Sequence, residues 1–146
     1  MRNIGQRILL LGVFVVSATR AIAYTPFWGG PYESSGAMFL TNEGDALWVY
    51  VALWGVGAVL ALVGMIRGKA GLATLWFAFL MLTWAAGYFG AWPAQEGDRY
   101  TRAWMSAALY GGNGINALGA FYLMRHIDDR RASDITEAHK IVRRDE

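Results

Sequence analysis

The chain has 146 residues, of which 55% are hydrophobic and 16% charged, with a net charge of +2 and no cysteine. The length would suit one soluble domain, but the charges gather at the ends and in three short loops, which excludes an ordinary globular core. The small net charge, with basic residues not interleaved with aromatics, excludes a nucleic-acid surface, and the missing cysteines exclude a disulfide framework or a thiolate metal site.

Residues 1 to 28, MRNIGQRILLLGVFVVSATRAIAYTPFW, permit two readings. Arg2 and Arg7 precede an apolar run from Ile8 to Ala18, and Ala21-Ile22-Ala23 has the small-residue pattern of a signal-peptide cleavage site. The other reading continues a spanning helix to Trp28, with Arg20 reaching the interface on its aliphatic stem or facing the bundle toward a carboxamide or carbonyl of the fourth helix. An Arg three residues before the proposed cut favours the spanning helix. Tyr24, Phe27 and Trp28 then mark the outer boundary.

The loop from Tyr24 to Asp45 carries Pro26, Pro31, Gly29, Gly30 and Gly36, a composition of irregular turns, with Ala37 to Leu40 able to dip back onto the bundle. Three windows follow, Ala46 to Ile66, Ala70 to Trp92 and Ala103 to Met124, without Asp, Glu, Lys, Arg or His. Each approaches or exceeds the roughly 20 residues a helix needs to cross about 30 Å of hydrocarbon. Strands are excluded because the runs are too long and lack a period of two. Helices are required because lipid offers the backbone no hydrogen bonds.

The expected architecture is therefore all-α: an integral membrane four-helix bundle over residues 1–124, with helices at about 8–28, 46–66, 70–92 and 103–124. A basic tail occupies 125–146. The short turn Arg67-Gly68-Lys69 makes the second and third helices antiparallel neighbours in a tight hairpin. Arg2, Arg7, Arg67, Lys69, Arg125, Arg130, Arg131, Lys140, Arg143 and Arg144 fall on one side. Only Arg99 and Arg102 fall on the other, beside Glu33, Glu43, Asp45, Glu96 and Asp98. The positive-inside rule then makes both termini cytoplasmic. Trp28, Tyr32, Trp48, Tyr50, Tyr88, Trp92, Tyr100 and Trp104 are expected as an aromatic girdle at the outer boundary, against little beyond Tyr122 at the inner one.

The fourth window contains LYGGNGINALG, residues 109 to 119, where Asn113 and Asn116 sit among four glycines. Small residues recur at four-residue spacing on two faces, Ala103, Ala107 and Gly111 on one and Ala108, Gly112, Asn116 and Ala120 on another. Gly57 and Ala61, then Ala70, Thr74 and Ala78, then Thr83, Gly87 and Ala91 repeat the habit in the second and third helices. In lipid, such faces allow close backbone approach, and carboxamides add bonds between helices. Gly111, Gly112, Asn113, Gly114, Asn116 and Arg20 are thus the candidates for helix packing or pore lining. Three readings stand open: carboxamides that lock a monomeric bundle, carboxamides that line a pore or a contact between protomers, and a local break at Gly111 to Gly114.

Enzyme chemistry is not expected. No His, Asp, Glu or Lys lies in a span, no Ser has an intramembrane base, and no acid or His cluster is placed to hold a metal or other cofactor. His126 and His139 fall in the tail. There, Asp134 with Glu137 predicts a fresh helix start, and Ile135, Ala138, Ile141 and Val142 form one stripe. Lys140, Arg143 and Arg144 are the membrane-surface candidates on an anionic leaflet.

The basic start MRNIGQR, the four compact spans and the tail HIDDRRASDITEAHKIVRRDE together resemble the small four-span membrane proteins of actinobacterial phages that are treated as holin-like. The resemblance implies accumulation in the host inner membrane and homo-oligomerisation into a lesion that collapses the potential or releases an endolysin. The chain departs from that group in having more spans than many holins and a longer outer loop. In size and span number it is also similar to the membrane partners of phage-exclusion systems, which implies recruitment of a cytoplasmic partner through the tail or outer loop. A small bacterial four-helix accessory membrane protein, or a DoxX-like protein, is a third expectation.

Overall fold

A computed structural model describes residues 4–25, 47–91 and 98–142, with side chains for 4–25, 48–90 and 104–127 and at Arg130, Ser133 and Ile135. All regular structure among these residues is helical: α1 Ile4–Ala23, α2 Leu47–Arg67, α3 Gly71–Ala91 and α4 Asp98–Val142. Three stretches, Ile4–Ala23, Trp48–Arg67 and Gly71–Gly90, are long and apolar enough to cross a membrane. This is a membrane protein by composition and length. Asn113, Asn116 and the glycines around them hold α4 below that threshold of apolarity.

The first helix starts and stops earlier than the sequence suggests, at Ile4 and Ala23 rather than near 8 and 28. Pro26 explains the end, because a residue before proline is pushed out of the helical region. The last turn closes through Tyr24 N–H to the Arg20 carbonyl at 3.2 Å and Thr25 N–H to the Ile22 carbonyl at 2.9 Å. The Thr25 hydroxyl donates to the same Ile22 carbonyl. Phe27, Trp28 and the loop expected to dip at 37–40 lie outside the described residues.

Between α2 and α3 the chain reverses at Gly68, whose φ of 71° lies in the left-handed region that glycine enters at least cost. Gly68 N–H and Lys69 N–H both donate to the Gly64 carbonyl, at 2.8 and 3.1 Å, and so cap the end of α2. Gly64 itself must lack a side chain, since a Cβ there would stand 2.7 Å from the Lys69 carbonyl oxygen.

The hairpin is not the main packing unit. Helix α3 packs chiefly on α4 and α2 on α1, with smaller α2–α3 and α1–α3 interfaces. One core cluster gathers Leu10, Val13, Ala61, Ala70 and Ala73 toward the end that holds the Gly68 turn. A second gathers Tyr50, Trp54, Leu80, Met81, Trp84 and Tyr110 toward the other. Around them a belt of exposed apolar side chains, including Ile8, Leu11, Val59, Leu62, Leu72 and Phe79, faces outward, as hydrocarbon in place of water requires.

Helix α4 differs most from expectation. It is one helix of 45 residues, about 67 Å long. It is not a span to Met124 followed by a new helix at Asp134. No glycine or proline follows Gly119, so nothing in the chain stops the helix between the apolar and charged parts. The break entertained at Gly111 to Gly114 is also absent, and the backbone stays helical through all four residues. An intact ladder keeps those peptide groups bonded within the helix.

Candidate functional site

Along α4 the residues nearest α3 recur at helical spacing. Tyr110, Gly114 and Ala117 are buried, while Gly111 and Phe121 are half-buried. Tyr110 stacks on Tyr88 with ring centroids 5.5 Å apart and planes 14° from parallel. A Cβ on Gly111 would stand 3.7 Å from the Ala85 Cβ, one on Gly114 only 2.7 Å from Leu82 Cγ and 3.3 Å from its backbone nitrogen, and one on Gly71 3.5 Å from Phe121. At Gly114 the two helices therefore pack too closely to admit a side chain. The contacts run from Tyr88 down to Gly71 on α3 as they run from Tyr110 to Phe121 on α4, so the helices lie antiparallel along nearly the whole of α3.

The opposite face of α4 has no partner among the described residues. Ala108, Leu109, Gly112, Asn113, Ile115, Asn116 and Gly119 are exposed, and a Cβ on Gly112 or Gly119 would meet nothing within 4 Å. Asn113 does not reach across a helix interface: its Nδ2 donates to the Leu109 carbonyl of its own helix at 3.0 Å. The Asn116 carboxamide forms no hydrogen bond among the described residues. The small-residue candidates thus divide, with Gly111 and Gly114 turned to α3 and Gly112, Asn113 and Asn116 turned away.

Arg20 belongs to a different part of the molecule. It is half-buried, and its guanidinium lies 5.2 Å from the centre of the Tyr110 ring, a distance at which a desolvated cation and an aromatic face attract by about 2 kcal/mol. Of the two expectations for it, this contact agrees with a side chain facing the bundle toward α4, but the partner is an aromatic ring rather than a carboxamide or a backbone carbonyl. Around it stands an aromatic cluster. Tyr24 and Tyr50 are 5.3 Å apart, Tyr50 and Trp84 are 5.2 Å apart edge to face, and Trp54 and Trp84 are 5.4 Å apart. Trp84 Nε1 donates to the Tyr24 hydroxyl at 3.2 Å. Each such ring pair contributes about 0.5–1.5 kcal/mol beyond area burial.

Tyr50 and Tyr88, expected in the girdle, face inward instead; Tyr50 is only 1% exposed. Trp48, Trp104 and Tyr122 are exposed, in keeping with boundary positions. Deeper in the bundle, Trp76 Nε1 donates to the Leu53 carbonyl at 3.1 Å. Ser17 Oγ and Trp54 Nε1 are buried without a hydrogen-bond partner among the described residues. A Cβ on Gly57 would stand 3.0 Å from Ser17 Oγ, so this glycine lets α1 and α2 touch.

The sequence reading missed the inward role of Trp54, Trp84 and Tyr110. Its only signal was their helical spacing relative to other aromatics: Tyr50 and Trp54 are four residues apart, as are Trp84 and Tyr88. Lys140 lies near the end of α4, Arg143 and Arg144 lie outside the described residues, and no three His, Asp or Glu side chains come together as metal ligands would among the described residues. Comparison with protein-family models, with curated protein sequences and with solved structures gives no match.

Proposed function

We propose that this chain crosses a bacterial inner membrane four times with both termini cytoplasmic, and that copies of it associate through the outward face of α4 as a holin-like permeabiliser. The observation that carries the proposal is the exposure of Gly112, Asn113 and Asn116 on one face that no described residue covers. A carboxamide bonded only to its own helix, or to nothing, is costly against lipid tails and is relieved by a second protein surface or by water. A face of small residues and carboxamides suits both in turn. It lets two backbones meet in a compact state and then wets when the assembly opens.

The four-span reading draws support from the pairing of α3 with α4. Helix α3 has the length and apolarity of a span, and α4 runs beside it from Tyr110 at Tyr88 to Phe121 at Gly71. Two antiparallel helices matched over that length occupy the same slab of membrane. Helix α1 also contributes to the bundle, with Leu10 and Val13 in the core beside Ala61, Ala70 and Ala73, which favours a retained helix over a removed leader. Arg7, Lys69 and Arg125 all fall at the end that holds the Gly68 turn, as the positive-inside rule asks.

Timed induction in a bacterial host, followed with a voltage-sensitive dye, tests the proposal. The expected result is abrupt depolarisation and growth arrest, with Gly112→Leu and Asn113→Leu shifting the time of onset. Unchanged potential at high membrane expression would rule it out.

A second reading, recruitment or phage exclusion, is favoured by the unbroken helix. Residues 125–142 extend α4 by about 27 Å beyond Met124, an arm long enough to present a binding surface to a cytoplasmic protein. Deleting residues 132–146 separates the two. Loss of activity without loss of insertion supports recruitment, and persistent depolarisation supports the permeabiliser.

A further inference from the structure

At the Gly68 end of the bundle, Gln6 of α1, Lys69 of the turn, Gly71 and Leu72 of α3, and Phe121 and Arg125 of α4 surround a cavity of about 380 Å³. That volume falls in the roughly 300–1,000 Å³ range of small-molecule sites. Its chemistry is split. Two cations and a carboxamide stand at the rim, while Leu72 and Phe121 supply an apolar wall that continues into the exposed belt, Leu72 being 65% exposed. No acid pairs with Lys69 or Arg125 among the side chains described, which do not include those of Asp128 and Asp129. The residue before α3 is Ala70, whose carbonyl accepts from Thr74 N–H at 2.9 Å but whose side chain has no oxygen with which to cap the helix.

We propose that this cavity binds one anionic phospholipid of the cytoplasmic leaflet, its phosphate between Lys69 and Arg125 and an acyl chain against Leu72 and Phe121. Charge complementarity selects the occupant. Lys69 lies in the turn between two apolar helices and Arg125 directly follows the apolar run of α4 that ends at Met124, so both stand at phosphate depth. A zwitterionic lipid brings no net charge to offset two cations, and a free anion leaves the apolar wall unused. The lipid would also tie α4 to the α2–α3 turn and to the start of α1. The site rests on the four-span placement but not on permeabilising activity.

The test is native mass spectrometry of the full chain released from nanodiscs of phosphatidylcholine mixed with phosphatidylglycerol. The expected result is retention of phosphatidylglycerol in preference to phosphatidylcholine. Each basic residue near a headgroup changes affinity about fivefold, so Lys69→Gln with Arg125→Gln should weaken retention roughly twenty-five-fold. Arg7→Gln with Arg67→Gln removes the same charge from exposed positions outside the cavity and should leave most of it. The charge-preserving pair Lys69→Arg and Arg125→Lys should bind and, with far-UV circular dichroism, shows that loss is not misfolding. Equal retention by the two neutralised pairs, or no preference between lipids, would overturn the site. So would equal thermal protection by inorganic phosphate in phosphatidylcholine discs, which would mark a free-anion site. Nanodiscs impose no sidedness, so an error in membrane orientation leaves this readout intact.

Discussion

The guanidinium of Arg20 sits 5.2 Å from the centre of the Tyr110 ring and joins two helix pairs that otherwise meet mainly through α2–α3 and α1–α3. Helix α1 packs chiefly on α2 and α4 on α3, so this contact is a direct tie from the first helix to the last. Replacing Arg20 by Leu should lower unfolding stability in detergent by about 2 kcal/mol. Tyr110→Phe, which keeps the ring face, should cost less than Tyr110→Leu. Thermal denaturation of the three variants checks the order, and an equal loss for Phe and Leu would remove the ring from the account.

Gly114 and Gly112 look alike in sequence but should behave in opposite ways. At Gly114 a Cβ would stand 2.7 Å from Leu82 Cγ, and overpacking of this kind costs about 1–3 kcal/mol. Gly114→Ala should therefore destabilise the folded monomer, with partial rescue by Leu82→Ala. Gly112→Ala meets open space and should stabilise the monomer by about 0.5–1 kcal/mol through helix propensity. Chemical denaturation in mild detergent measures both.

Gly68 is held at a φ of 71°, where a side chain costs about 1–2 kcal/mol. Gly68→Ala should lose that much stability. Gly68→Asn should lose less, because Asn tolerates the left-handed region better than Ala does. Equal losses would mean that the turn relaxes to another conformation.

Ser17 Oγ is buried without a hydrogen-bond partner among the described residues. Removing an orphaned buried hydroxyl recovers part of its desolvation penalty, about 1–3 kcal/mol. Ser17→Ala should raise the melting temperature, whereas Ser17→Val should lower it by pressing on Gly57. A fall in stability with Ala would mean that the hydroxyl has a partner after all.

What the sequence could reveal followed from where charge is missing and where it collects. The charge-free windows located α2 and α3 to within a residue or so, and Arg67-Gly68-Lys69 announced its turn through the one residue able to adopt a positive φ. The faces of α4 were not legible, because Ala and Gly recur around the helix and only packing against Leu82 and Ala85 distinguishes Gly114 from Gly112. Tyr50 and Tyr88 were assigned to the boundary because aromatics suit headgroup depth, yet a bundle interior accepts the same rings. The end of α1 was written in Thr25-Pro26, a signal outweighed by the aromatic run beyond it. The single helix through Ser133 and Asp134 was hidden by a residue pair that resembles a helix start but also fits a helix interior.

The functional proposal turns on whether copies meet on the outward face of α4. The chain contains no cysteine, so Gly112→Cys introduces one thiol on that face while leaving Asn113 and Asn116 in place, and Val59→Cys, on the 60% exposed side chain of α2, serves as its control. Oxidative cross-linking in intact membranes should give a covalent dimer at position 112 and little at position 59. Equal cross-linking at both positions, or a monomer at both, would contradict it.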